Sequence, residues 1–379
     1  MSWNTDLIKA LLNGEDIETW GLHFIATPDT QELMESVRDK VQKMLDRIHE
    51  SNNVQHRKRT ISTQILPIYD QFANGESIAT IENSVRGKHV YLFSDPHGSW
   101  QPEKKDELRS LNDKYMHDKL VAGALKENGA SSVNIVLQTI PYARQDKSTP
   151  NKRQAASLDI IWWELAKITW ENGYIITTDL HNPASKSSFQ WTHFINLYSW
   201  WFVKRVIEEA KKEDKDFEPI LLPADQWWYT KISRIAQEYS IKNLLATKTR
   251  NYSKNNTVDD IGIIGDIEWT DIIIHDDILD TGWTLVKLLE EVLKRKPKSI
   301  RVAITHGLFN KEAFQKLSSL IINSSGIIKW VYITDTVNKN LWENNWVKKI
   351  STQDIISNTI FSIFQRLPVN RWNDTDYTK

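Results

Sequence analysis

The chain has 379 residues, a net charge of −1, 26% charged residues and no cysteine. That length exceeds one ordinary domain, and balanced, interspersed charge gives nucleic acid or an anionic membrane nothing to hold. Without cysteine there are no disulfides, no zinc–thiolate sites and no thiol catalysis.

Residues 1–20 carry a short helical pattern (Leu7, Leu11, Leu12) and read as an N-terminal extension. Their start lacks a basic stretch followed by an apolar one, and no apolar run in the chain could span a bilayer, so the expected compartment is the cytoplasm. Leu22–Ala26 reads as a first strand, and Thr30 caps a helix with apolar residues at Leu33, Val37, Val41 and Leu45. The polar stretch Glu50–Thr60, with basic residues 56–59, reads as a surface loop. Strands follow near Ile61–Leu66, Ser77–Glu82 and His89–Phe93, then an irregular loop from Ser94 to about Lys105. Next come a helix from about Asp106 to Glu127, a strand at Val133–Leu137 and a loop over Pro141–Asn151.

Arg153–Trp170 has helical spacing and Tyr174–Thr178 strand composition. The second half repeats this rhythm: helix Phe202–Lys212, strand Pro219–Leu222, helix Trp227–Tyr239, strand Asn243–Thr247. A polar, Asn-rich stretch over Lys248–Val258 is expected to be mobile. Strand Asp260–Gly265, an apolar run at Ile272–Ile274, helix Trp283–Leu293 and strand Ile300–Thr305 come next. A helix from Lys311, strand Ile328–Thr334 and a last helix over Asp354–Arg366 complete the series. Such alternation predicts an α/β chain of two similar domains, each a mainly parallel sheet flanked by helices. The expected boundaries are 21–198, 199–350 and a C-terminal helix and tail at 351–379.

The stretch from Asp271 to Leu285 organises the rest. A β-branched run, Ile272–Ile274, leads into Asp276-Asp277, then Asp280-Thr281-Gly282, then an amphipathic helix beginning near Trp283. In a strand–loop–helix unit the helix start offers free N–H groups and a dipole that favour phosphate. Acids just upstream can accept hydrogen bonds from sugar hydroxyls. The two together describe a pentose phosphate; a plain surface turn with solvated acids is the alternative.

This stretch resembles the signature of proteins that bind 5-phosphoribosyl-1-diphosphate (PRPP), in which two acids precede an Asp-Thr-Gly-Gly-Thr loop. Trp283 stands where that pattern has glycine. Further segments, in order, resemble ribose-phosphate diphosphokinase, or PRPP synthetase, over roughly Leu22 to Arg366. Phe72-Ala-Asn74-Gly75-Glu76 matches the segment that holds adenine, though by itself it could be an Asn-Gly hairpin turn. Arg144-Gln145-Asp146 matches an ATP-contacting loop. Thr178-Asp179-Leu180-His181 matches the Mg²⁺–ATP site, and Asp225 matches an acid that precedes two glycines, here Trp227-Trp228. Lys248 and Arg250 match catalytic cations that stabilise a transferring diphosphoryl group.

The resemblance implies two type I phosphoribosyltransferase-like domains and the reaction of ATP with ribose 5-phosphate to give PRPP and AMP. It implies that Thr281, Gly282, position 283 and Thr284 cradle the 5-phosphate and that Asp276, Asp277 and Asp280 serve the sugar. Asp225 would help position sugar and metal, and the family's subunits complete the ATP site across a homo-oligomer. A phosphoribosyltransferase is the nearest rival, but it needs neither a second such domain nor an adenine segment. A non-catalytic regulatory subunit would be expected to have lost Lys248 and Arg250.

Composition adds one expectation. The chain has 13 glycines and 17 tryptophans, where glycine is ordinarily ~7% of residues. The deficit and the excess are of similar size, and Trp227, Trp228, Trp269 and Trp283 fall on family glycines. We therefore expect many of these positions to be glycine in the source organism, and an indole at 283 to oppose a left-handed loop beside the phosphate.

Overall fold

The computed structural model describes residues 21–51, 60–66, 70–98, 110–148, 152–169, 172–182, 184–185, 193–224, 226–251, 257–310, 312–338 and 345–369. The expected N-terminal extension, the basic residues 56–59, most of the 94–105 loop, Asp225 and the tail beyond 369 lie outside these residues. The chain divides into two units, Met1–Leu197 with Gln353–Lys379, and Tyr198–Thr352.

In the first unit, strands β1 (Leu22–Ala26), β2 (Ser62–Ile65), β5 (His89–Ser94), β6 (Ser132–Leu137), β7 (Tyr174–Thr178) and β8 (His193–Leu197) form one sheet. Their order is β2-β1-β5-β6-β7-β8 and every pairing is parallel. A parallel sheet is covered on both faces, so its strands read as nearly unbroken apolar runs. All five residues of β1 are buried. Ile25, Val90 and Leu92 pack with Val121, Leu125, Leu158 and Leu165, which lie on helices α2 (Leu111–Glu127) and α3 (Ser157–Thr169). Phe24, Tyr91 and Phe93 meet as rings, alternate to those residues along β1 and β5 and so on the opposite face. Helix α1 (Gln31–Ser51) packs on β1 and on the last helix, α8 (Gln353–Phe364). Lys40 pairs with Asp354 at 2.7 Å, and Gln353 Nε2 donates to Ser36 O at 2.9 Å.

Two expectations here are corrected. The helix expected from Asp106 starts after Ser110, whose extended backbone and reciprocal bonds with Asp113 form a capping box. The strand expected over Ser77–Glu82 is reduced to β4 (Ser77–Ile78), paired with β3 (Asp70–Gln71) as a short antiparallel ladder.

The second unit holds β9 (Pro219–Pro223), β12 (Asp271–Leu279), β13 (Ser299–Gly307), β14 (Ile328–Thr334) and β15 (Val347–Ile350), ordered β15-β14-β13-β12-β9, all parallel. Helices α6 (Trp283–Lys294) and α7 (Ala313–Asn323) bury Leu285, Leu288, Leu289, Val292 and Leu317 against Ile272, Ile274, Val302 and Ile304. Helix α4 (Trp200–Glu213) packs on β13, and α5 (Gln226–Glu238) on β9. The polar stretch after Thr247 is not a plain loop. Its ends continue two strands, β10 (Leu245–Asn251) and β11 (Thr257–Ile264), paired as an antiparallel ribbon; residues 252–256 lie outside the described set.

Candidate active site

The central strand β12 is longer than its apolar run. It continues through Asp276 and Asp277 to Leu279 because β13 continues beside it, pairing Ile278 with His306 and Leu279 with Gly307. The two acids therefore sit on a strand, where neighbouring side chains point to opposite faces. Asp276 is half-buried, and Asp277 is buried on the face it shares with His275. Asp276 Oδ1 accepts the Asp277 N–H at 3.1 Å.

The strand ends at Leu279; Asp280 and Thr281 follow, and Gly282 turns the chain with φ +75°. A side chain at 282 would be strained by that angle, and its β-carbon would stand 3.3 Å from Ala313 Cβ. Helix α6 begins at once, with Val286 N–H bonded to Gly282 O at 2.9 Å. The N–H groups of its first turn have no acceptor within the helix and point along its axis toward the sheet edge. A helix start of this kind favours an anion.

The tryptophan expectation is corrected at one position and sharpened at another. Gly282 carries the left-handed geometry, and Trp283 opens α6 without positive φ. The indole is 57% exposed, with Lys316 Nζ 3.6 Å from its ring centre. The left-handed requirement falls instead on Trp269, which has φ +55° and is 74% exposed. That conformation costs a residue with a β-carbon roughly 1–2 kcal/mol, and little burial of the indole offsets it. Trp201 shows a different mismatch: it is buried, yet its Nε1 has no hydrogen-bond partner among the described residues.

Lys248 and Arg250 lie on β10, opposite Ile261 and Val258 of β11, with a bulge between Thr249 and Arg250. In the first unit, Phe72, Asn74 and Glu76 form the tip of the β3–β4 hairpin. Asn74 Nδ2 donates to Glu76 Oε2 at 3.0 Å, and Phe72 is 56% exposed. The loop after β6 carries Arg144, exposed, and Gln145, whose Oε1 accepts Ser157 Oγ at 2.8 Å. Asp146 is brought to the segment after β7, accepting from Asn182 Nδ2 and from Ser185 Oγ. Next to Asn182, His181 is partly exposed, whereas Asp179 is buried at φ +49° with its N–H bonded to Leu197 O at 2.7 Å. Among the described residues no group of three or more His, Asp or Glu could hold a metal.

Sequence reasoning did not single out Thr305, His306 and Thr336 at the same edge as β12. His306 Nδ1 meets Thr336 Oγ1 at 2.8 Å, and Thr334 and Thr336 hydroxyls both donate to Thr305 O. A Thr-His-Gly ending on a predicted strand was the available signal.

A family model for the N-terminal domain of ribose phosphate pyrophosphokinase matches residues 25–167. Ribose-phosphate pyrophosphokinase of Thermotoga maritima is 28% identical over 305 residues, 79% of this chain and 87% of its own length. These likenesses are to the ribose-phosphate pyrophosphokinase family. The Mycoplasma genitalium member is 25% identical over 291 residues, covering 76% of this chain and 80% of that one. In fold, the chain is similar to the crystal structure of phosphoribosylpyrophosphate synthetase from Mycobacterium smegmatis. The TM-score is 0.72 at 20% identity, over 91% of this chain and 99% of that one.

The two sheets of this chain present different carboxyl edges. In the first unit Lys114 Nζ, on α2, reaches Asp29 Oδ2 at 2.8 Å and Gly98 O at 2.9 Å, with both side chains buried. Asp118, one turn further along α2, accepts a short hydrogen bond from Ser94 Oγ, and its Oδ1 has no partner among the described residues. Burial pushes the Asp118 carboxyl up to about 8, helped by Asp29 and Asp95 and opposed by Ser94 and Lys114.

Proposed function

We infer that the chain is a ribose-phosphate pyrophosphokinase. It transfers the β,γ-diphosphoryl group of ATP to the anomeric hydroxyl of ribose 5-phosphate and releases AMP. The hydroxyl oxygen bonds to the β-phosphorus, the bond from that phosphorus to the bridging oxygen of AMP breaks, and the hydroxyl proton passes to solvent. The observation that carries this reading is the β12–α6 loop, where left-handed Gly282 frees a helix start at a strand end bearing Asp276 and Asp280. The likeness to ribose-phosphate pyrophosphokinases supports ribose 5-phosphate as what that loop holds.

In this reading Thr281, Gly282, residue 283 and Thr284 hold the 5-phosphate. Asp276, the more exposed of the pair, holds a ribose hydroxyl; Asp277 and Asp225 support it. Lys248 and Arg250 offset the charge that develops on the diphosphoryl group, since phosphoryl transfer asks mainly for positioning and charge stabilisation. Phe72 stacks on adenine, with Asn74 and Glu76 at its edge, while Arg144, Gln145 and Asp146 meet the phosphates.

The donor chemistry suits Mg²⁺, which prefers oxygen, keeps several waters and takes few protein ligands when phosphates are present. His181 and Asp179 would hold it, through water where the side chain is buried, together with Asp225. When bound, the ion neutralises charge on the ATP phosphates. Met116 and Leu120 on α2, and Ile160 and Trp163 on α3, are exposed. Those apolar side chains, with exposed Phe72, support a homo-oligomer in which a neighbouring subunit completes the ATP site. No described helix is long and apolar enough to cross a membrane, and the substrates of this reaction suit a cytoplasmic enzyme.

The test is AMP formation from ATP, measured with and without ribose 5-phosphate and Mg²⁺. Production that requires the sugar is expected. Hydrolysis of ATP indifferent to the sugar, or transfer to PRPP of a base, would overturn the reading.

A further inference from the structure

Helix α7 is set against the loop before α6 by a series of contacts. Leu308 and Phe309 N–H groups both bond to Leu279 O, at 2.9 and 3.0 Å. Asn310 N–H bonds to Asp280 O at 2.9 Å, and its Nδ2 donates to Asp280 Oδ1 at 2.8 Å. These bonds fix where α7 begins. Ala313 then stands beside Gly282, and Lys316, one turn further on, beside Trp283. Residues three apart share a helix face, so the face of α7 turned to the loop carries a small residue and then a cation. Lys316 Nζ lies 3.6 Å from the centre of the Trp283 ring and 2.9 Å from Glu312 Oε2. The lysine is half-buried and Glu312 is exposed.

We propose that Lys316 is a binding residue for the 5-phosphate of the sugar held at the start of α6, and that Glu312 holds its ammonium group when no phosphate is there. This rests on the ribose 5-phosphate site proposed above. A helix start offers about half a unit of positive charge, and Asp276 and Asp280 stand at the same strand end. A phosphate dianion at that place meets more negative charge than the helix start offsets, and like charges at short range repel. A full cation carried by the neighbouring helix corrects the balance. Lysine suits the part because its ammonium has three donors on a flexible four-carbon stem. The exposed pair with Glu312 contributes little. An ammonium–phosphate contact is a charge-assisted hydrogen bond and stronger, so the phosphate draws the ammonium from Glu312. The indole of Trp283 is a surface on which the side chain rests, and the role does not depend on it.

The experiment compares wild type with Lys316→Met, Lys316→Arg and Glu312→Gln, measuring turnover and calorimetric binding of ribose 5-phosphate at low and high salt. Lys316→Met keeps the stem and removes the charge. It is expected to raise Kd and KM for ribose 5-phosphate by roughly 5- to 10-fold, less than for a fully buried contact because the lysine must leave Glu312. Turnover number and KM for ATP should stay within about twofold, because the loss is uniform binding. The penalty should shrink as salt rises, and Lys316→Arg, which keeps the charge, should stay within about twofold of wild type. Glu312→Gln should act in the opposite direction and tighten ribose 5-phosphate by about twofold, since the competing carboxylate is gone. Weaker binding by Glu312→Gln would make the pair a brace and overturn the proposal. Repeating Lys316→Met in a Trp283→Gly background separates phosphate from ring: a penalty that persists supports the proposal, and one that vanishes shows a lysine that only packs on the indole. A Lys316→Met protein that binds ribose 5-phosphate as wild type does would refute the proposal outright. Wild-type protein that binds ribose 5-phosphate without forming AMP refutes the proposed reaction alone, and wild type that binds no sugar phosphate refutes both.

Discussion

In the first unit the carboxyl ends of β1 and β5 are closed by the protein's own side chains. Lys114 neutralises Asp29 and ties down Gly98, and Asp118 rests on Ser94. In the second, the end of β12 keeps Asp276 and Asp280 partly exposed beside an uncapped helix start. Parallel sheets of this kind gather strand ends and helix starts at one edge, which makes that edge the default ligand position. What separates the two is the buried lysine that α2 brings to the first edge. At β1 and β5 the α2 lysine fills the edge, and at β12 partly exposed acids stand beside the start of a helix.

The largest expected effect breaks the filled edge. Lys114→Met should leave Asp29 buried without its counter-charge and cost about 3–5 kcal/mol of stability, read as a lowered urea midpoint for the first unit. An equal midpoint would mean that Lys114 is not the seal. Loss of the two cations of β10 proposed for catalysis comes next. Lys248→Ala or Arg250→Ala should lower kcat by on the order of 10²-fold with a smaller change in KM for ATP, in steady-state assays. Unchanged kcat would remove both residues from the chemistry.

A pH titration sharpens the contrast at lower cost. Asp118 titrates near 8 in the folded protein and near the ordinary carboxyl value when unfolded. Between those values the folded state binds the extra proton, so stability falls as pH rises from about 4 to about 8 and levels off above. The slope from this group is at most about 1.4 kcal/mol per pH unit. Urea unfolding at several pH values should show that slope, and Asp118→Asn should flatten it. Smallest is Trp269→Gly, which should stabilise the second unit by about 1 kcal/mol by relieving left-handed strain, read as a raised midpoint. The intact mass of the protein from its own host should then fall below that of a chain with 17 tryptophans.

Much of this architecture was legible in the sequence because buried parallel strands leave apolar runs and helices leave periodic ones. Ile272–Ile274 and the Leu285–Val292 spacing placed the site loop between them. β8 was hidden because Asn196 interrupts it, a buried side chain spent on the Leu180 N–H at 2.9 Å. β15 was hidden by Lys348 and Lys349, the kind of charge that protects an edge strand. The acids at 276 and 277 looked like loop residues because nothing local shows that β13 runs on beside them. Asp29 and Lys114 are 85 positions apart, and no periodicity announces such a pair. The Asn310–Asp280 contact was equally silent, since it joins the loops after two adjacent strands that lie 30 positions apart in the chain.

The chain leaves the first unit at Leu197 and returns to it at Gln353. Helix α8, with Ile355, Ile356, Ile360 and Phe361 buried, is therefore a part that the ribosome delivers after every other described helix and strand. Until it arrives, the surface of α1 that it covers has no partner, while Tyr198–Thr352 is already whole. The unit begun first is finished last. A nascent chain must shield an incomplete N-terminal half while a complete insert folds within it, and a stop codon read before residue 353 would damage the half that was already made.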